Sequence, residues 1–230
     1  MHNENSIDLV LFVNGSPGAT CELKSHYTQS LYDAIYQYKT DRVPLFNPKN
    51  APEPLLAFPG GALVHFAVSN AEAAMTTRLA GLDTSFLPFN QGNAGGAGNP
   101  TNANPGGGIA TDYLWREVWQ RDSFLQILGR YLVPVKNDKK KLVSWIFPRY
   151  HQLTVTRKLV AAVLADHAIA GPGGKYLVQH SAGSGKTNSI AWTAHFLADL
   201  HDANDRKLFD TVIVISDRTV LDAQLREAIE

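Results

Sequence analysis

Residues 7–24 read IDLVLFVNGSPGATCELK. Residues 7–13 are apolar and rich in β-branched side chains, a pattern that predicts a strand, and residues 19–24 predict a returning strand. The Asn14-Gly15 pair between them is a strong signal for a tight turn. This stretch therefore predicts an antiparallel β-hairpin near the start of the chain.

Three charged residues of the hairpin are predicted to meet at one end of it. If the hairpin is centred on Gly15, Asp8 lies opposite Glu22, and Lys24 follows Glu22 on the same face. Facing carboxylates repel each other, and a divalent cation between them would turn this repulsion into a site at which Lys24 could hold water or stabilise charge on a phosphate. The alternative is an exposed sheet face with an ordinary Glu/Lys pair, which spacing alone favours.

A second motif, HSAGSGKTN at 180–188, is typical of a phosphate-binding loop. Its glycines would let backbone N–H groups turn toward a phosphate, its lysine would contact the β- and γ-phosphates, and its threonine would ligate Mg²⁺. The residues expected to bind nucleotide here are Gly183, Ser184, Gly185, Lys186 and Thr187. The alternative is a glycine turn that happens to precede Lys-Thr.

The flanks of this motif predict a parallel α/β unit: a short strand at 176–179, a helix at 186–200 and a buried strand at 211–216. The full phosphate-loop pattern calls for glycine at position 180, where this chain has His180. This departure favours a helicase-type ATPase over a small kinase. Gln152 could bind an adenine edge, although an exposed residue at a helix start is the simpler interpretation.

The remaining sequence predicts a second group of elements and a division into two domains. Helices are predicted over 25–43, 111–132 and 152–170, a strand over 62–68, and a long glycine-rich loop over 90–108. The charged segment at 138–141 is predicted to be an exposed connector, which places a domain boundary near residue 135.

The composition restricts the class of protein only loosely. The formal net charge is 0, so there is no overall basic footprint for nucleic acid. Cys21 is the single cysteine and cannot form an internal disulfide, which favours a reducing cytoplasm. No stretch has the run of apolar residues that a membrane span requires, and we expect no membrane partner.

Taken together, the two motifs give the chain a resemblance to the restriction (R) subunit of type I restriction–modification enzymes. Further similar stretches are LVHFAV (63–68), MTTRLAG (75–81), FLPFNQG (86–92), YLWREVWQRDSFLQILGRYL (113–132), PRYHQ (148–152) and FDTVIVISDRTVLDAQL (209–225). The resemblance implies an α/β fold, with a PD-(D/E)xK-type nuclease core and mixed sheet over residues 1–135. The first part of a RecA-like P-loop motor domain would follow over residues 136–230.

In the nuclease core, the resemblance implies that Asp8 and Glu22 bind the metal and that Lys24 is the catalytic lysine. The family also has a Gln-x-x-x-Tyr element on the next helix. Gln37 matches its glutamine, but the tyrosine position holds Asp41, and the nearby tyrosine is Tyr38.

In the motor, the resemblance assigns nucleotide binding to Lys186 and Thr187 and an adenine-side contact to Gln152. It assigns DNA tracking to three residues of the stretch after the second motor strand, namely Asp217, Arg218 and Gln224.

The resemblance implies ATP-driven translocation of duplex DNA coupled to Mg²⁺-dependent cleavage, in complex with modification and specificity subunits. Because an acidic motor box is not found in the sequence, we expect an internal piece of a longer polypeptide that binds ATP but hydrolyses it poorly. Two alternatives are an inactive remnant that only binds nucleotide or partner subunits, and a helicase-like ATPase with a non-catalytic N-terminal module.

Overall fold

The computed structural model describes residues 6–25, 29–46, 51–100, 108–170 and 174–216. The chain divides into two compact units, Met1–Arg149 and Tyr150–Glu230. The division lies beyond the position expected near residue 135, because a strand pair within 133–146 is tied to the first unit. The Thr77 hydroxyl donates to the Trp145 carbonyl at 2.7 Å, and the Arg78 guanidinium donates to the Val143 carbonyl at 2.8 Å.

The first unit combines strands with two helices and one π-helical segment. Its strands are β1 (Leu9–Val13), β2 (Ser16–Lys24), β3 (Leu45–Phe46), β4 (Ala51–Pro52), β5 (Val64–Ser69), β6 (Ala73–Thr76), β7 (Leu87–Pro88), β8 (Val133–Lys136) and β9 (Leu142–Ile146). The helices are α1 (Leu31–Thr40) and α2 (Arg121–Arg130), and the π-helical segment is Leu114–Val118.

The predicted hairpin is confirmed as β1 and β2. Asn14 and Gly15 both have positive φ, at 49° and 79°, as a two-residue type I′ turn requires. Val13 therefore pairs with Ser16, and the turn is centred between Asn14 and Gly15, not on Gly15 as expected. A bulge at Gly18 then shifts the register, so that Leu9 pairs with Cys21, as the sequence predicts.

The hairpin belongs to a mixed five-stranded sheet with the strand order β1-β2-β5-β6-β7. β2 runs antiparallel to β1 and parallel to β5, with Thr20 beside His65 and Glu22 beside Ala67. The structure confirms the strand expected at 62–68 as β5. β6 and β7 were not expected, since they are short and their apolar residues do not alternate with polar ones over a recognisable run.

Helix α1 covers one face of this sheet. It begins after Ser30, whose backbone N–H donates to the Asp33 carboxylate at 2.6 Å, so it is shorter than the helix expected over 25–43. Ala34 and Tyr38 point inward and are fully buried. They form an apolar cluster with Leu56, Ala67 and Leu79.

Aromatic side chains cover the opposite face. Phe66 of β5 makes edge contacts with three rings, those of Phe89, Trp119 and Phe147, at centroid distances of 5.3, 5.3 and 5.9 Å. The sheet is therefore a central layer between α1 and an aromatic core, and Thr20 and Glu22 of β2 lie on the α1 side.

The helix expected over 111–132 is wrong as a continuous element. The chain forms the π-helical segment Leu114–Val118, becomes extended at Gln120 (φ −60°, ψ 140°), and then forms α2. On an unbroken α-helix, Trp119 and Phe124 would lie roughly 140° apart around the axis. The break lets Trp119 pack on Phe66 while Phe124 packs close to Gly18.

The charged segment at 138–141 is the exposed turn of the β8–β9 hairpin, which pairs Val133 with Ile146. The described part of the glycine-rich segment is tied to the sheet. Asn99 is buried there, and its amide donates to the Ala71 carbonyl and accepts from the Gln91 N–H, both at 2.8 Å.

The second unit contains α3 (Tyr150–Ala170) and α4 (Lys186–Ala198), which confirm the two predicted helices and pack against each other. The strands expected at 176–179 and 211–216 are wrong, because both segments lack regular structure. Their apolar side chains point to solvent, with Leu177 91% and Ile215 90% exposed. Two isolated strands provide too few hydrogen-bond partners for a stable parallel sheet. Among the described helices, none has both the length and the apolar character of a membrane span.

A buried polar network links the sheet to α1. The Thr20 hydroxyl lies 2.8 Å from the Tyr38 hydroxyl and 2.7 Å from Nδ1 of His65. Burial lowers the pKa of His65 from 6.5 to about 3, so this ring is neutral in the folded protein at neutral pH.

We predict that His65 makes the first unit acid-sensitive. The unfolded chain protonates His65 below pH 6.5, whereas the folded chain excludes that proton until about pH 3. The free energy of unfolding should therefore fall as the pH drops through this window, by at most roughly 1.4 kcal/mol per pH unit. His65→Gln should remove that part of the slope in urea titrations followed by tryptophan fluorescence. Parallel losses in the two proteins would contradict the prediction.

Candidate functional site

The hairpin brings Asp8 and Glu22 together. Asp8 lies just before β1, at the position that continues the pairing of Leu9 with Cys21 and so faces Glu22. Its Oδ2 accepts the backbone N–H of Leu23 at 2.8 Å, which extends the hairpin by one side-chain hydrogen bond. Glu22 is fully buried, so the alternative of an exposed sheet face is wrong for this residue.

Glu22 is paired with Arg42, which follows the end of α1. Nε of Arg42 lies 2.5 Å from Oε1 of Glu22, and the two side chains are 9% and 0% exposed. Oε2 of Glu22 is also buried and has no hydrogen-bond partner within the described part of the chain. The carboxylate therefore has one oxygen satisfied by arginine and one that is not satisfied.

The electrostatics of Glu22 reflect three competing effects. Burial raises its pKa, the hydrogen bond and charge of Arg42 lower it, and the neighbouring Asp8 carboxylate raises it again, so the net pKa is raised. Two ionised carboxylates cannot hydrogen-bond each other. Asp8 and Glu22 can therefore share a proton, or they can share a cation.

These residues fit a divalent cation. The cation would satisfy the unpartnered Oε2 of Glu22 and relieve the repulsion from Asp8. In the described ranges, no cluster of three or more His, Cys, Asp and Glu side chains is present. Two protein carboxylates and several waters form a common ligand set for Mg²⁺, which gives up its water reluctantly.

The other nuclease candidates lie on the elements that flank this pair. Lys24 lies on the same face of β2 as Glu22 and is half-buried. Gln37 lies in α1 and has a buried Oε1 without a partner among the described residues. Tyr38 is fully buried and bonded to Thr20, and this internal position separates it from solvent.

Arg42 is the residue of this site that sequence reasoning missed. The available signal was indirect: an acidic residue in a strand of buried residues requires a cation, and Arg42 is the first arginine of the chain. The pairing depends on how α1 packs, which sequence spacing does not reveal.

The second candidate site is the loop before α4. Gly183 and Gly185 have φ of 72° and 77°, and α4 starts at Lys186 directly after them. No side chain among the described residues caps the start of α4, and uncapped N–H groups at a helix start suit an anion. The buried hydroxyl of Ser184 has no partner among the described residues, and Thr187 lies half-buried in the first turn.

The loop is held by residues of the unit itself. Nζ of Lys186 donates to the carbonyls of His180 and Ser181 at 3.2 and 2.9 Å. The Gln152 amide donates to the Gly185 carbonyl at 2.9 Å, and Nε2 of His151 lies 3.0 Å from the Ser184 carbonyl. Gln152 is buried, so the simpler interpretation of an exposed helix-start residue is wrong.

His180 packs edge-on against the ring of His151, with the centroids 5.0 Å apart. His180, Lys186 and Ser189 also line a pocket of about 200 Å³ whose other walls are mainly apolar. The predicted DNA-tracking residues Asp217, Arg218 and Gln224 lie outside the described residues, so their roles stay predictions.

Comparison with protein families gives a match in the N-terminal part of the chain. Residues 1–84 match the family model described as the type I restriction enzyme R protein N terminus. Over these residues the chain is similar to that family. Neither the curated proteins nor the solved structures gave a match.

The family match confirms the resemblance over residues 1–84. The R protein N terminus includes Asp8, Glu22, Lys24, Gln37 and Arg42, and its mixed sheet fits a nuclease-type module. The matched range ends before the glycine loop at 180–188. Nucleotide binding by that loop therefore stays a prediction.

We predict that the two loop glycines differ in how well they tolerate alanine. A Cβ at Gly183 would meet nothing within 4 Å, whereas a Cβ at Gly185 would lie 2.5 Å from the Gln152 amide nitrogen. Gly183→Ala should cost only the strain of positive φ, about 1–2 kcal/mol.

Gly185→Ala should cost more than this, because it also displaces Gln152 from the loop. Urea denaturation of the two variants, with helix content followed by circular dichroism, measures the difference. Equal losses would show that Gln152 does not hold the loop.

Proposed function

We propose that this chain is the nuclease-bearing part of a type I restriction R subunit, which cleaves unmodified duplex DNA with Mg²⁺ and is coupled to an ATP-driven motor. The observation that carries the proposal is the facing pair Asp8 and Glu22, with its unsatisfied buried oxygen, inside the segment that matches the R protein N terminus. The proposed partners are duplex DNA and the modification and specificity subunits.

The proposed roles follow from position. Asp8 and Glu22 would hold Mg²⁺, which supplies charge neutralisation at a phosphate and lowers the pKa of bound water. Lys24, two residues further on the same face, would stabilise charge on the phosphate or hold the attacking water. Gln37 would act from α1, where its buried carbonyl oxygen has no other partner among the described residues.

For the motor, we propose that the loop at 183–187 binds ATP with Mg²⁺ on Thr187. The helix start, which no described side chain caps, and the adjoining lysine support this role. Gln152 would stabilise the loop backbone, because its amide donates to the Gly185 carbonyl. It would therefore influence nucleotide binding indirectly, through the shape of the loop. DNA tracking by Asp217, Arg218 and Gln224 belongs to the same proposal.

We predict that cleavage of plasmid DNA depends on the hairpin residues. Asp8→Asn and Lys24→Ala should each lower the Mg²⁺-dependent cleavage rate by about 100-fold or more, equivalent to roughly 2.7 kcal/mol, because each removes a group that acts on the reacting phosphate. The rates should be measured with the modification and specificity subunits present.

Asp122→Asn and Lys136→Ala are matched controls, since both side chains are exposed on other elements. Neither control should change the rate. Unchanged cleavage by both Asp8→Asn and Lys24→Ala would show that the nuclease assignment is wrong. In that case the helicase-like ATPase with a non-catalytic N-terminal module would be favoured.

We also predict that Lys186→Ala weakens ATP binding at least about tenfold, because it removes a charge-assisted contact to the phosphates. Lys158→Ala, an exposed lysine of α3, serves as the control. Calorimetry measures binding, and phosphate release measures turnover. Because slow turnover is expected of this chain in any case, the affinities decide: equal ATP affinity in both variants would exclude the loop as the site.

A further inference from the structure

We propose that Arg42 is a positioning residue of the metal site: it holds Oε1 of Glu22 so that Oε2 is presented to a divalent cation shared with Asp8. The inference rests on the proposed nuclease function and adds to it a residue outside the Asp, Glu-x-Lys and Gln motifs.

The position of Arg42 is fixed from both ends. Its backbone N–H donates to the Gln37 carbonyl at 3.0 Å, which anchors it to the last turn of α1. Its side chain is buried, and Nε lies 2.5 Å from Oε1 of Glu22. Because Arg42 is anchored through its backbone and buried along its side chain, it sets the orientation of the Glu22 carboxylate that it contacts.

The two carboxylate oxygens of Glu22 have different contacts, and this difference supports a role for Arg42 in metal binding. Oε1 is used by Arg42, whereas Oε2 is buried and has no partner within the described ranges, and Asp8 is the neighbouring carboxylate. If Arg42 served only to neutralise Glu22, a symmetric contact with both oxygens would do so better, because guanidinium groups commonly bind carboxylates in two-point fashion. The one-point contact leaves the second oxygen for another cation.

Arg42 also keeps the Glu22 carboxylate in place. Without Arg42, the buried Glu22 would lose its only ion-pair partner among the described residues and would be free to rotate. A rotated carboxylate would no longer pair with Asp8 as a ligand.

Lysine cannot reproduce this arrangement. The contact is made by Nε, a donor within a planar group whose direction is fixed by the side chain, whereas lysine offers a mobile point charge. Arg42→Lys therefore keeps the charge and removes the orientation, which separates positioning from simple neutralisation.

The test is Mn²⁺ binding to the 230-residue chain, measured by calorimetry and by the electron paramagnetic resonance of free Mn²⁺. The variants are Arg42→Lys, Arg42→Ala and Asp8→Asn, with Arg121→Ala as the control. Arg121 also contacts an aspartate through Nε, at 3.0 Å, but both partners are 87% exposed. Circular dichroism melting curves without metal identify any variant that does not fold.

We expect Arg42→Lys to fold and to bind Mn²⁺ about 10–100-fold more weakly than wild type, as is usual when a group that orients a metal ligand is changed. Arg42→Ala should bind at least as weakly if it folds, and Arg121→Ala should bind like wild type. Raising the Mn²⁺ concentration should restore occupancy in Arg42→Lys.

Wild-type affinity, or tighter binding, in a folded Arg42→Lys would overturn the inference. Tighter binding would mean that Arg42 competes with the cation for Glu22. If the wild type bound Mn²⁺ with no dependence on Asp8, or did not bind it, the proposed metal-dependent nuclease would fail together with the role of Arg42. If Asp8→Asn loses binding and Arg42→Lys does not, only the role of Arg42 fails.

Discussion

A fully buried carboxylate is the constraint on which the N-terminal unit depends. A charge removed from water is tolerated only when it is paired and hydrogen-bonded. Glu22 lies in β2, between β1 and β5, so its compensating charge must come from a neighbouring layer. Helix α1 supplies it, because the inward packing of Ala34 and Tyr38 places the end of the helix, and with it Arg42, against β2.

The polar residues on the α1 side of β2 differ in how completely they are hydrogen-bonded. Thr20 belongs to a closed network with Tyr38 and His65 in which each side chain has a partner. At Glu22 the network is incomplete, since one buried oxygen has no partner among the described residues. The second oxygen of Glu22 can be satisfied either by a proton shared with Asp8 or by a cation, whereas Thr20 needs neither.

The sequence predicts the hairpin well, since strand patterns and Asn-Gly turns are local signals. The pairing of Asp8 with Glu22 could be inferred from spacing, although in the structure it results from the two-residue turn and the bulge together. Arg42 could not be assigned, because its partner depends on the packing of α1. Likewise, the apolar stripe of residues 111–132 did not reveal the break at Gln120, which positions Trp119 and Phe124 against different parts of the sheet.

In the second unit, the elements that form from adjacent residues are present, whereas the predicted strands are not. The glycine turn and α4 form from adjacent residues and are held by Gln152 and His151 of the same unit. The segments at 176–179 and 211–216 have apolar sequences, but a strand forms only when neighbouring strands supply its backbone hydrogen bonds. Local sequence patterns therefore predicted the glycine turn and helix α4 correctly and the flanking strands wrongly.

The bulge at Gly18 has a consequence for recognising related sequences. Across a two-residue turn, residues that face each other are always an odd number of positions apart. Asp8 and Glu22 are separated by an even number, and the extra residue on β2 corrects the parity. Relatives whose carboxylates are spaced by an odd number should have a regular hairpin, and those with even spacing should carry a bulge. A motif search could therefore allow odd and even carboxylate spacings. It would require a regular hairpin sequence for the odd spacing and a bulge for the even spacing. Such a search would separate true carboxylate pairs from chance Glu-x-Lys matches.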